Sequence, residues 1–376
     1  MGRRLGVSED YLATGLEREV GGEDRKLLDA EVQLRLGEID DAERLYTEVL
    51  DTATTTALRS RALAGLGQIA FERGEPRRAI EQLEQAVSAA GADLAQQPSV
   101  ADTLGRAYAT VNDFEPAIRI FRQSLAAAEE RKDSVEITRF GVLLANAYID
   151  TNDFSAAESL LERTVERSQD AADPVFRARI YWSQSRLYAL REDPNKAARY
   201  ARKALELLEL TEHTHYAARA HHLLAHVELD RENPGEALAL LERGLPLVEA
   251  SGNKVEIALF RLEKARALVQ LDRRDEAETL ATQSADLLAD IAPHDAGRGY
   301  ALMAEIFESL DERARARELY ERAVALLEDG PNRYILDVYA KLAALHEAEG
   351  RSDEALSVLK KAMAMQTPGA TVQTAG

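Results

Sequence analysis

One spacing dominates this chain. Ala42, Ala79, Ala117, Ala157, Ala197, Ala237, Ala277, Ala316 and Ala355 recur in the same local setting, at intervals averaging about 39 residues. Twelve positions before each stands another small residue: Ala30, Gly67, Gly105, Ala145, Ser185, Ala225, Ala265, Ala304 and Ala343. Seven positions after comes Val49, Ala86, Ser124, Thr164, Ala204, Gly244, Ser284, Ala323 or Ala362. Two helices of an antiparallel pair approach closely only where the crossing side chains are small, with larger ones filling the flanking grooves. The larger ones come nine before the alanine (Tyr108, Tyr148, Tyr188, Leu268, Phe307) and four after it (Tyr46, Leu83, Phe121, Leu161, Leu241, Tyr320, Leu359). Such a pattern excludes one globular core and predicts a row of helix pairs, each burying its apolar face against its neighbours.

Composition agrees where it bears on this. Glycine (21) and proline (10) are scarce and aromatics make up 6%, so helix is favoured throughout and strands lack their usual residues. Five before each alanine lies Gly37, Gly74, Asn112, Asn152, Glu192, Glu232, Asp272, Asp311 or Gly350, and Gly or Asn there suits a left-handed helix ending. Pro76, Pro116, Pro194 and Pro234 mark the start of the second helices, while Pro98, Pro174, Pro293 and Pro331 fall between units. The reading is all-α: helix, tight turn, helix, loop, nine times.

These residues resemble the tetratricopeptide repeat (TPR) family over roughly residues 23–366. The usual unit is about 34 residues, so these helices are expected to be longer by about a turn. The resemblance implies a right-handed superhelix whose concave face is lined by the first helix of each pair. Its expected extent is 21–366. Residues 1–20 lie outside the repeat, and Leu5-Gly-Val-Ser8, followed by Leu12 and Gly15, resembles the end of a lambda-repressor-like helix-turn-helix domain. The alternative is a short capping helix with Ser8 as its N-cap. The first reading would leave this chain without a recognition helix. The polar segment 367–376 is expected to be a disordered tail.

Several chemistries find no support. There is no cysteine for a disulfide, thiolate metal site or nucleophile. A formal charge of −19 opposes direct nucleic-acid binding, and no apolar run is long enough to cross a membrane. No phosphate loop, nucleophile elbow or metalloprotease motif appears, so no enzymatic activity and no cofactor are expected. His213, His215, His221, His222 and His226 cluster in sequence, and His222 with His226 shares a helix face. A metal there would face Arg186 and Arg266 one helix away, so no metal site is assigned.

The register instead singles out two columns of first-helix positions. The ninth position reads Glu31, Gln68, Arg106, Asn146, Arg186, His226, Arg266, Glu305, Ala344, and the second reads Asp24, Arg61, Ser99, Arg139, Arg179, Arg219, Leu259, Arg298, Asp337. Both are basic or amide-bearing in the middle, where the one tryptophan, Trp182, also falls. Arginine grips carboxylates bidentately and asparagine pairs with peptide backbone. Arg106, Arg139, Asn146, Arg179, Trp182, Arg186, Arg219, His222, His226 and Arg266 are therefore the candidate groove for an extended peptide or an acidic partner segment. Internal pairing of these arginines is the competing reading.

In layout the chain resembles the receptors of Gram-positive peptide pheromones. That implies a cytoplasmic bacterial transcriptional regulator, a groove-bound peptide, and dimerisation through the repeats. The alternative is a free-standing scaffold for protein complexes. In the sixth unit Glu228 replaces the usual aromatic or leucine, and Pro246 inside the second helix predicts a kink where the solenoid flexes.

Overall fold

A computed structural model describes residues 22–91, 93–167, 174–211, 214–289, 293–328 and 332–366. The segments 1–20 and 367–376, along with His213 and Pro331, lie outside the described residues. What is described forms nine helix pairs and one short 3-10 turn, Leu94–Gln96. The pairs are α1 (Gly22–Leu36) with α2 (Ile39–Thr52), α3 (Thr56–Glu72) with α4 (Pro76–Ala90), and α5 (Pro98–Thr110) with α6 (Phe114–Arg131). Then come α7 (Ser134–Asp150) with α8 (Phe154–Arg167), α9 (Pro174–Leu190) with α10 (Pro194–Glu209), and α11 (Thr214–Asp230) with α12 (Pro234–Ser251). The last three are α13 (Lys254–Gln270) with α14 (Arg274–Ala289), α15 (Pro293–Ser309) with α16 (Arg313–Leu327), and α17 (Asn332–Ala348) with α18 (Ser352–Gln366).

The small-residue columns are the seams. Every column alanine from Ala42 to Ala316 is fully buried, and Ala355 nearly so. The residues twelve before them are buried without exception. At Gly105 a β-carbon would stand 2.3 Å from the Phe121 ring, so only glycine fits that crossing. The long residues four after the alanine fill the grooves, with Tyr46, Leu83, Phe121, Leu161, Leu241 and Tyr320 all buried. Leu359 of the last described pair stays exposed, since no further described unit covers it.

All nine residues five before the alanine adopt positive φ, from 57° at Glu192 to 80° at Gly37. The chain reverses there through paired backbone bonds, as where Glu192 N donates to Ala189 O and Asp193 N to Tyr188 O. Glu192 and Glu232 take this conformation with a side chain that disfavours it by about 1–2 kcal/mol. Glycine would relieve that strain but gain freedom in the unfolded chain, leaving a net stabilisation of about 0.5–1 kcal/mol per site. Glu192→Gly and Glu232→Gly together are expected to raise the denaturant midpoint additively; a fall in midpoint would show that the glutamates make a contact worth more than the strain.

The helices group into two compact units. One runs to Ala109 and adds Glu115–Ala127, and the other holds Thr110–Phe114 and the chain from Ala128 onward. In the second unit each first helix packs on its own partner, and α9 on α7, α13 on α11 and α15 on α13 pack first helix to first helix. Side chains bridge the remaining steps, Arg179 to Tyr216 between α9 and α11 and Arg298 to Tyr334 between α15 and α17, so the first helices line one wall. Second helices α10 and α12 pack against the next first helix, α11 and α13. Helix α12 continues through Pro246 to Ser251. No described helix is long and apolar enough to cross a membrane.

Candidate functional site

A cleft of about 390 Å3 opens on the first-helix wall of the second unit. Its lining comes from α9 (Trp182), α11 (Arg219, His222), α13 and its cap (Asn253, Val255, Glu256, Leu259, Phe260) and α15 (Asp295, Arg298). No second helix contributes. The spacing that makes Ala225 and Ala265 seam residues turns the second and fifth helix positions toward this wall, which is why Trp182, Arg219 and His222 meet there.

The cleft pairs apolar surface with positive charge. The Arg219 guanidinium lies 5.5 Å over the Trp182 ring, and its Nε stands 3.7 Å from Glu256 Oε1, too far for a good hydrogen bond. Arg298 lies 5.7 Å over the Tyr334 ring and has no acidic partner among the described residues. The His222 ring tilts against Phe260 at 4.9 Å, and burial pushes its pKa down, keeping the imidazole neutral. Two guanidiniums thus face a pocket floored by Trp182, Leu259 and Phe260. Glu256 and Asp295, also in the lining, partly offset their charge.

The ninth-position residues behave differently. Arg186 is bound to Asp150 on α7. Glu263, only 2% exposed, accepts from His226 Nδ1 at 2.7 Å and from Arg266 Nη1 at 2.9 Å. Asp230 lies 3.8 Å from His226 Nε2 and 3.9 Å from Arg266. Burial alone would raise the Glu263 pKa, but the His226 and Arg266 charges hold its carboxyl well below the usual carboxylate range. Attraction to Glu263 in turn raises the His226 pKa against the opposing effect of burial. A histidine raised this way adds stability that is complete below its unfolded pKa near 6.5 and lost as pH rises through the folded value. The melting temperature is expected to fall as pH climbs above about 6.5, and His226→Gln should flatten that fall; an equal slope in the variant would place the titration elsewhere.

The remaining candidates are spread along the wall. Arg179 donates to the Tyr216 hydroxyl at 3.0 Å, Arg139 stands 4.0 Å from Glu136, and Asn146 is half-buried on α7. Arg106 belongs to the first unit, 4.8 Å over Phe71 and 3.5 Å from Asp102. A wider cleft of about 570 Å3 in that unit is lined by the same columns, Glu31, Arg61, Gln68 and Ser99. There Arg61 is already paired with Glu31 at 2.7 Å. Residue columns alone did not reveal Phe260, Glu256 or Asp295, nor the burial of Glu263. A carboxylate three positions before the Arg266 guanidinium was the available signal for the last.

Four stretches match models described as tetratricopeptide repeat: residues 27–95, 102–135, 143–174 and 218–243. No curated protein matches the chain in sequence. Among solved structures, a Rap protein complexed with competence and sporulation factor superposes with a TM-score of 0.63 at 16% identity, covering 89% of this chain and 91% of that one. The apo quorum sensor NprR from B. thuringiensis gives 0.57 at 14% identity, covering 97% and 92%. Aspartyl phosphate phosphatase F from Bacillus subtilis gives 0.55 at 13% identity, covering 94% and 96%. At such identities the likeness is one of fold. With the repeat matches and the nine helix pairs, it makes this chain an all-helical α-solenoid built from tetratricopeptide repeats.

Proposed function

We propose that the protein is a binding module that takes an extended peptide segment along the first-helix wall of its second unit. The cleft at Trp182 anchors an apolar side chain next to a carboxylate. The observation that carries this is the pairing of a pocket floored by Trp182 and Phe260 with Arg219 and Arg298, neither tightly held by an acid. Bidentate guanidinium contact fixes a carboxylate, and desolvated aromatic surface supplies most of the affinity. The ninth-position arginines act as internal struts in this reading, since Arg186 and Arg266 are spent on Asp150 and Glu263.

Two proteins of the same fold lend support, one complexed with competence and sporulation factor and one a quorum sensor. On that footing the module is the peptide-sensing part of a bacterial regulator of transcription. An in-frame helix-turn-helix coding sequence ahead of Met1 would support this, and its absence would favour the scaffold alternative.

Trp182, being the single tryptophan, reports occupancy directly. Peptides selected from a random library on the full chain are expected to shift its fluorescence. Arg219→Glu with Arg298→Glu should weaken those peptides by about tenfold or more while the melting temperature holds. Unchanged affinity would refute the site, and a collapsed melting temperature would assign both arginines to the fold.

A further inference from the structure

The wall of first helices is not the only place where this acidic chain gathers positive charge. Six positions after the column alanine, the second helices α8, α10 and α12 carry Arg163, Lys203 and Arg243, one per consecutive unit. The same position holds Gln123 before this run and Gln283 after it. All three cations are exposed, and Arg199 on α10 adds a fourth. None of the four has an acidic partner within ion-pairing distance among the described residues. Nearby cations are neutralised: Arg191, in the turn before α10, by Glu158, and Lys196 and Arg202 on α10 by Asp193 and Glu228.

The two central cations are held by neutral rings instead of acids. Lys203 Nζ lies 5.2 Å from the Tyr181 centroid and 5.5 Å from that of Tyr200. The Arg199 guanidinium lies 5.0 Å over Tyr200, and its Nη2 reaches the Tyr200 hydroxyl at 3.3 Å. Tyr200 itself stacks on Tyr188 at 5.4 Å with planes 5° apart, and against Tyr181 at 6.1 Å. An aromatic platform orients a cation without cancelling its charge. The entropy of ordering two long side chains is thus already spent, and the full charge is left for a partner.

We propose that this second-helix face, Arg163–Arg199–Lys203–Arg243, is a docking surface for an acidic segment of a partner protein, separate from the first-helix cleft. Charge complementarity sets the occupant: a run of cations at one repeat position matches carboxylates displayed along an extended or helical segment. Nucleic acid fits less well. The chain's charge of −19 repels a long polyanion, and the Tyr200 faces are covered by Tyr188, Tyr181 and the two cations, leaving none for a base to stack on.

The test uses the full chain and a fluorescent oligoglutamate peptide, read by anisotropy at low ionic strength. Binding is expected, weakening steeply as salt is added. Arg163→Glu, Lys203→Glu and Arg243→Glu combined should reduce affinity by about tenfold or more without lowering the melting temperature, because these cations support no acid in the fold. Lys360→Glu, on the exposed face of α18, should leave it unchanged. Affinity unaffected by the triple reversal, or no binding at low salt, would overturn the proposal. So would tighter, equally sensitive binding of single-stranded oligothymidylate, which would assign the face to nucleic acid.

Discussion

Replacing Glu228 with alanine is expected to destabilise the protein by about 3 kcal/mol. Glu228 is 1% exposed near the end of α11. Its carboxylate accepts from Arg202 Nη2 at 3.0 Å, from Arg231 Nη1 at 2.6 and 2.9 Å, and from Asn233 Nδ2 at 3.0 Å. Arg231 and Asn233 belong to the turn between α11 and α12, so this one carboxylate ties the turn to the preceding second helix. Breaking a buried charge network by removing one partner costs about 3–5 kcal/mol. Arg202 and Arg231 remain partly solvated, which puts the loss at the lower end. Glu228→Leu should cost somewhat less, about 2 kcal/mol, because Leu268 fills the same position one unit later and leucine leaves less of a cavity than alanine, while Arg202 and Arg231 still lose their acid. Urea denaturation of the two variants decides the matter. Equal losses would mean that the charge network alone holds the turn, and that filling the position with leucine restores nothing.

Gly105→Ala should have the second largest effect, a net loss of about 2 kcal/mol. Alanine gains about 1 kcal/mol of helix propensity over glycine. Against that, the new methyl would lie 2.3 Å from the Phe121 ring, itself 1% exposed and unable to move aside without disturbing the crossing of α5 and α6. Overpacking of this kind costs about 1–3 kcal/mol, and a contact this short belongs at or above the upper end. Phe121→Leu should restore part of the stability of the alanine variant while harming the parent chain. That sign reversal in a double-mutant cycle is the signature of direct contact, and simple additivity would count against the crossing as described.

Much of this architecture was legible in the residues. Small side chains at three fixed offsets give the helix crossings, since close approach is a steric condition that any sequence must meet in the same way. The turns were readable for the same reason. The left-handed position was plain where glycine or asparagine marked it. At Glu192, Glu232, Asp272 and Asp311 the repeat register imposes it on residues that do not prefer it.

The site was legible only in part. Counting along the first helices brought Trp182, Arg219 and His222 to one wall. The same count grouped them with Arg186, His226 and Arg266, which the structure shows engaged with Asp150 and Glu263. Glu228 stood out as a departure from its column, yet its partners could not be read from the sequence. In the third unit Tyr108 bonds Glu84 of the preceding second helix, and in the sixth Glu228 bonds Arg202, which occupies the register position of Glu84. The coupling is kept with its polarity reversed.

The residues by themselves determined the helix pairs, their seams and their reversals, because each depends on side-chain volume and backbone conformation within one repeat. Which cations are spent and which remain available was decided only by the tertiary structure. Pairs such as Arg186 with Asp150 and His226 with Glu263 join side chains 36 and 37 positions apart, and there a difference of about an ångström separates a strut from a free charge.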